Sequence, residues 1–401
     1  GEQMAIRIAF AARLAGLLAL SGILACGQSL PVLASSRGPG AVEGETLNAE
    51  DGAQAETLTD DVLEYGELQA MIRNYNPTME EAWSSYNETL QEYADAREQL
   101  KFEQRGAYTD KKDAEDSGDT EQYSYYSSEE EIYRSAASTY YTMYDNMQSA
   151  SSTSSMRQTE RQLTAAAQSL MISYETMRLE ADTAQKMLEL YEKEYDLALA
   201  GVQAGTATEA DVLEAQDHVL TAQSSLASAQ SAMESVYDSL CLTVGRDADG
   251  SLTIASIPDA DESRISAMNL DTDTRKAIGN NTTLINERHT SAESSTAGSE
   301  NKKRSVAESE DKLTIKMKQL YQDVLQKKEE RDAAKTAYEN AGLQKQAADA
   351  KYRAGMISQT EYLSAEMEYI GQTASYRAAD LAFEQAMDTY DWAVLGLAEI
   401  E

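Results

Sequence analysis

The sequence predicts an all-α fold of two tandem long antiparallel coiled-coil hairpins, related by an internal duplication, with little or no β structure. Three observations predict it. Only 4 Pro and 3 Phe occur in 401 residues while Ala, Gln, Glu, Ser and Leu are abundant, a composition that suits long helices. Apolar residues recur in heptads over long stretches. AGTATEADVLEAQ, Ala204 to Gln216, returns 150 residues later as AGMISQTEYLSAE, Ala354 to Glu366.

Taken in order, residues 1–34 read as a secretory signal peptide. Arg7 and Arg13 precede the apolar LAGLLALSGILAC, which is short for a bilayer span, and Val32 and Ala34 offer a cleavage site. ILAC ending at Cys26 also fits a lipid-attachment box, so a lipoprotein is the alternative. Residues 35–60 are small, polar and acidic and read as a disordered linker.

The first repeat is expected over residues 61–245. It opens with a short apolar helix that runs into Asn76-Pro77-Thr78-Met79, where Pro77 suits the first turn of a new helix. A charged, Tyr/Ser-rich stretch at about 102–135 shows no sustained apolar period and reads as loop or weak helix. Then Leu163, Leu170, Met177, Ala184, Tyr191 and Ala198 step by seven, interleaved with Ala167, Tyr174, Ala181, Leu188, Tyr195 and Val202. After the quoted motif, a large row from Val212 to Leu240 runs beside a small row, Ala215, Ala222, Ala229, Val236 and Thr243, so that helices can approach closely.

Residues 246–270 hold glycines and a proline and read as a connector with one short strand at Leu252 to Ile257. The second repeat, 271–401, opens with a short helix into Asn281-Thr282-Thr283-Leu284 and repeats both seams 150 residues on. Lys327, Arg331 and Lys345 interrupt its ascending seam, and Tyr362, Tyr369, Tyr376, Phe383 and Tyr390 replace the aliphatic row of the descending helix.

The repeated motif has a physical reading. Gly205 and Gly355 stand where a helix must stop, since glycine accepts the left-handed backbone that closes a helix C-terminus. Thr208 with Asp211, and Ser358 with Glu361, have the spacing of a capping box that opens the next helix. The chain therefore reverses at both places. Each ascending arm of about 45 residues would be roughly 70 Å long, and a two-helix hairpin of that length cannot bury both faces of its seams alone.

The net charge of −35 sets the chain against nucleic acid and anionic membrane surfaces. Cys26, Cys241, His218 and His289 lie without metal-ligand spacing, and no nucleophile–base pair or phosphate loop is found, so neither a metal, a cofactor nor an enzymatic role is expected.

The two-fold repeat, the opening Asn76-Pro77 and the tip motif Gly-x-x-[Thr/Ser]-x-x-[Asp/Glu]-x-Leu-x-Ala, each followed by a long helix ending in Leu242-Thr243-Val244-Gly245 or Val394-Leu395-Gly396, resemble the outer membrane efflux family, the TolC-like exit ducts. The resemblance covers roughly residues 60 to 400. It implies a homotrimeric helical cylinder in the cell envelope, at the outer membrane, whose tips dock a periplasmic adaptor (membrane fusion) protein of an inner-membrane transporter. Carried over to this chain, the adaptor-facing residues are Gly205, Thr206, Ala207, Thr208, Asp211 and Leu213 in one tip and Gly355, Met356, Ile357, Ser358, Glu361 and Leu363 in the other. Gln216, Gln223 and Gln230 face either a lumen or open solvent. The family also places paired membrane strands in each half, and no ten-residue alternating segment occurs here. The alternative is an exported coiled-coil scaffold or binding protein of the cell envelope with no transport role.

Overall fold

A computed structural model describes residues 60–292 and 294–400. The expected signal peptide, the lipid-attachment Cys26 and, apart from Asp60, the linker lie outside the described residues. Outside its turns and connector the described chain is helical, and strand β1 (Val62–Leu63) pairs in parallel with β2 (Thr253–Ile254), tying the start of the first repeat to the connector.

Helix α1 (Leu68–Tyr75) buries Leu68, Met71 and Ile72 and stops because Asn76, the residue before Pro77, is extended. The Asn76 carboxamide oxygen accepts the backbone N–H groups of Thr78 and Met79 at 3.0 and 3.3 Å and so opens α2 (Pro77–Ser117). Gly118, left-handed, ends α2, and Asp119 caps α3 (Thr120–Met147).

The irregular stretch expected at about 102–135 is thus corrected: it is the heart of an antiparallel helical hairpin, α2 against α3. Its two arms bury only Met79, Ala107, Ala114 and Ala137. They meet instead through tyrosines and charges: Tyr93 and Tyr140 rings lie 6.0 Å apart, Arg97 sits 4.8 Å over Tyr141, Lys111 pairs with Glu130, and the Tyr86 hydroxyl donates to the Met147 carbonyl at 2.9 Å. Such an interface leaves no heptad of aliphatic residues in the sequence.

Helices α4 (Ser154–Gln203) and α5 (Glu209–Val244) form the first long hairpin, with the small row Ala215, Ala222 and Ala229 buried. The connector carries β2 and the short α6 (Ser263–Ala267). The second repeat follows as α7 (Leu270–Asn280), α8 (Thr282–His289), α9 (Thr296–Arg353) and α10 (Gln359–Trp392), closed by a π turn at Ala393–Leu397. Its seam packs Leu313, Met317 and Val324 of α9 with Phe383, Ala386 and Tyr390 of α10 and, nearer the tip, buries Ala341 and Ala348. Tyrosines stack across it, Tyr338 on Tyr376 at 5.6 Å and Tyr352 on Tyr362 at 4.5 Å.

Both repeats are fastened at the base in the same way. Asn76 donates its side-chain amide to the Thr243 carbonyl at 2.7 Å, and Gly245 comes so close that a Cβ there would lie 1.8 Å from the Tyr75 carbonyl oxygen. In the second repeat Asn281 caps α8, donates to the Ala398 carbonyl at 2.8 Å, and a Cβ on Gly396 would lie 2.3 Å from the Asn280 oxygen. Glycine at these two positions is required both by the left-handed backbone and by the neighbouring chain.

Candidate functional site: the two hairpin tips

The turn between α4 and α5 is built entirely by backbone and cap. The N–H of Thr206 reaches back to the Gly201 carbonyl at 2.8 Å while Gly205 takes φ 72°, a glycine closure of the α4 C-terminus. Two residues on, Asp211 Oδ2 accepts the Thr208 N–H at 2.7 Å, and Thr208 Oγ1 accepts the Asp211 N–H at 3.3 Å. This is the reciprocal box that the sequence spacing anticipated.

The turn between α9 and α10 repeats its glycine closure and its reciprocal cap. Gly355 has φ 69°, Met356 N–H reaches the Lys351 carbonyl at 2.8 Å, Glu361 Oε2 accepts from Ser358 N–H at 2.8 Å, and Ser358 Oγ accepts from Glu361 N–H at 3.2 Å. In both tips the carboxylate is held below its ordinary range, first by the backbone N–H and then by the hydroxyl of the capping residue. The surrounding charge differs. The first tip is flanked by Glu209 and Asp211 with no base in the last turn of α4, while the second has Lys351 and Arg353 ending α9, where cations suit the helix dipole.

Of the expected tip residues, Gly205, Thr206, Thr208, Asp211, Leu213, Gly355, Met356, Ser358 and Glu361 are exposed, and Ala207 and Ile357 half-buried. Leu363 differs from the others: it is 3% exposed, whereas Leu213, at the same place in the other motif, is 65% exposed. Gln216, Gln223 and Gln230 are all exposed. Sequence reasoning passed over Gly201, where a Cβ would meet the Ala207 Cβ at 2.8 Å. Its only signal was a second glycine four residues before the turn.

The two tips face the same way because α10 runs antiparallel along α4. Trp392 Nε1 donates to Gln168 Oε1 at 2.6 Å, and Arg377 pairs with Glu175 at 3.4 Å. A buried charge cluster sets this crossing. Asp380, 2% exposed, accepts from Arg331 at 2.7 Å, from Arg377 at 3.0 Å and from the connector N–H of Ala260 at 3.2 Å. Arg331 thereby finds its reason as an interruption of the α9 seam, and Lys345 finds its own in Asp349 and the Tyr362 hydroxyl. Nothing in the spacing of Asp380 marked it in advance.

Among the described residues no group of three or more His, Cys, Asp or Glu is placed to hold a metal ion, and no helix is long and apolar enough to cross a membrane. Cys241 is free and fully buried.

No family model and no curated protein matches the chain. Solved structures resemble it. CusC, whose structure concerns folding and transmembrane channel formation, aligns at 12% identity with a TM-score of 0.46, over 77% of this chain and 96% of its own. A Pseudomonas aeruginosa membrane protein aligns at 13% identity and TM-score 0.45, over 90% and 96%, and the Vibrio cholerae outer membrane protein VceC at 12% and 0.43, over 66% and 76%. At TM-scores below 0.5 these are likenesses only, and the all-α fold rests on the chain's own helices and caps.

Proposed function

We propose that the chain is the outer component of an export or efflux system: an oligomeric, homotrimeric helical duct in the cell envelope that docks an adaptor protein of an inner-membrane transporter through its two tips. One observation carries this reading. Two turns of near-identical chemistry, built independently in sequence, are presented side by side at one end of hairpins too long to cover their own faces. A scaffold would need neither the duplication of the turn nor its alignment. The duct conducts cargo and catalyses nothing. The end away from the tips carries the helical α2–α3 hairpin.

The test is docking. Gly205→Leu with Gly355→Leu should leave helicity nearly intact by circular dichroism while abolishing cross-linking to an adaptor protein of the export system. Cross-linking that persisted in the double variant would remove the tips as the docking surface. Light scattering showing only monomer at high concentration would remove the duct altogether and leave the exported scaffold.

A further inference from the structure

The two tips share a backbone and differ in what that backbone displays. Over residues 200–215 the first tip carries the carboxylates of Glu209, Asp211 and Glu214 and no base. Over the equivalent residues 350–365 the second carries Lys351 and Arg353 against Glu361 alone. Every charge difference between them has the same sign: Gly201 and Gln203 become Lys351 and Arg353, while Glu209 and Glu214 become Gln359 and Ser364. All four of the charged side chains that differ are exposed.

Apolar surface changes at the same place. Thr206, at the apex of the first turn, becomes Met356, and Ala207 becomes Ile357. Met356 is 74% exposed, the most of any large apolar residue among those described. Its backbone is nevertheless fixed, with its N–H on the Lys351 carbonyl at 2.8 Å directly after the left-handed Gly355.

The helix dipole does not account for the two bases, since α4 ends with none and makes the same closure. Nor does the chain use them internally: Lys345 pairs with Asp349 and Glu366, whereas among the described residues Lys351 and Arg353 form no ion pair. A single exposed methionine by itself would need no explanation. One held on a rigid turn, bordered by two cations and absent from the otherwise matching turn, has the anatomy of a contact anchor, an apolar side chain that fills a pocket beside charges that set its orientation. Methionine suits the role because its unbranched thioether adapts to the pocket it enters.

We infer that the second tip anchors the docked partner and the first does not, and that the partner's matching face is apolar with a border of carboxylates. Met356 enters the apolar part, and Lys351 and Arg353 meet the border. The net charge of −35 makes this selective. An acidic face is repelled by the rest of the chain, and attraction takes over only within about 8 Å of the two cations at physiological salt. Against the first tip the same face would meet Glu209, Asp211 and Glu214, so the partner engages one way round. The inference deepens the docking reading and rests on it, giving the chemistry of the partner and making the tips unequal.

Two tests on the full chain separate these points. The probe in the first is a fluorescent amphipathic helical peptide with a leucine stripe bordered by glutamates. It should bind the unmodified chain, more weakly as salt rises, and Arg353→Gln with Met356→Thr should weaken it about tenfold. Gln203→Ala with Thr206→Ala, at the first tip, should leave the affinity within about twofold. Circular dichroism should be unchanged in both, since all four side chains are exposed. If the peptide ignores the unmodified chain, or the second-tip pair weakens it no more than the first-tip pair, the partner chemistry is wrong. The second test takes the same variants into cross-linking with an adaptor protein of the export system, where the second-tip pair should lose about tenfold in yield and the first-tip pair little. If the unmodified chain cross-links but the second-tip pair loses no more than the first, the anchor is wrong while docking through the tips stands. If the unmodified chain cross-links to no adaptor, both fall.

Discussion

The two long hairpins, α4–α5 and α9–α10, share their turns and not their surroundings. Each has a left-handed glycine, a reciprocal cap and a glycine clasped at the base. Away from those points, equivalent positions have opposite fates: Asp380 is a buried anchor for two arginines, while its equivalent, Gln230, lies in open solvent. The two hairpins therefore agree where their local needs are the same and differ wherever the neighbour differs. The α10 face lies against α4 and the connector; the α5 face carries exposed apolar residues such as Leu213, Leu220 and Leu242.

The largest break in the equivalence should come from Asp380→Ala. Removing one member of a buried charge cluster leaves the others uncompensated, a loss of about 3–5 kcal/mol, whereas Gln230→Ala at the equivalent exposed position should stay within about 0.5 kcal/mol. Urea unfolding of both variants measures the contrast, and an Asp380→Ala protein as stable as the parent would remove the cluster as the anchor of the crossing.

A second contrast sets the base against the tip. Gly205→Ala meets open space and costs only the left-handed backbone, about 1–2 kcal/mol. Gly245→Ala has the same φ of 72° but must also displace α1, adding roughly 1–3 kcal/mol of overpacking. Equal losses at the two glycines would show that the clasp yields freely.

The tips themselves should behave as equals. Thr208→Ala and Ser358→Ala each remove one reciprocal cap and should each cost about 1 kcal/mol; a markedly larger loss at one would mean that its tip is held by more than the cap.

The smallest effect concerns acidity. Glu384, paired with Arg264 at 2.7 Å, is pushed up to about 7, first by burial and then by Asp388, with Arg264 opposing. Between its ordinary 4.5 and 7 the folded chain holds a proton that the unfolded chain has released, so Glu384 contributes less to stability as pH rises through that window. Glu384→Gln should therefore raise Tm relative to the parent by about 1–2 °C at pH 8 and by less at pH 5. A pH-independent difference for Glu384→Gln would contradict the assignment.

Much of the fold was legible before any coordinates. Helix reversal at Gly205 and Gly355, caps at Thr208 and Ser358, and breaks at Asn76 and Asn281 follow from residues whose hydrogen-bonding acts within four positions, so short spacings were enough. The buried alanine row of α5 was legible because aliphatic periodicity reports a packed face. The α2–α3 hairpin was not, since tyrosine rings and ion pairs hold it and these residues also populate solvent faces. Of the tip, the turn chemistry could be read and the accessibility could not: Leu213 and Leu363 occupy the same place in the same motif, and only the packing of α10 separates them.

By itself, then, the sequence determined the local geometry of this protein: where helices start, stop and reverse, and that they do so twice. The tertiary structure alone decided which of two equivalent faces is inside. Burial depends on partners more than 100 residues away, such as Glu175 for Arg377 or Gln168 for Trp392, and no periodicity along one helix records which other helix will lie against it.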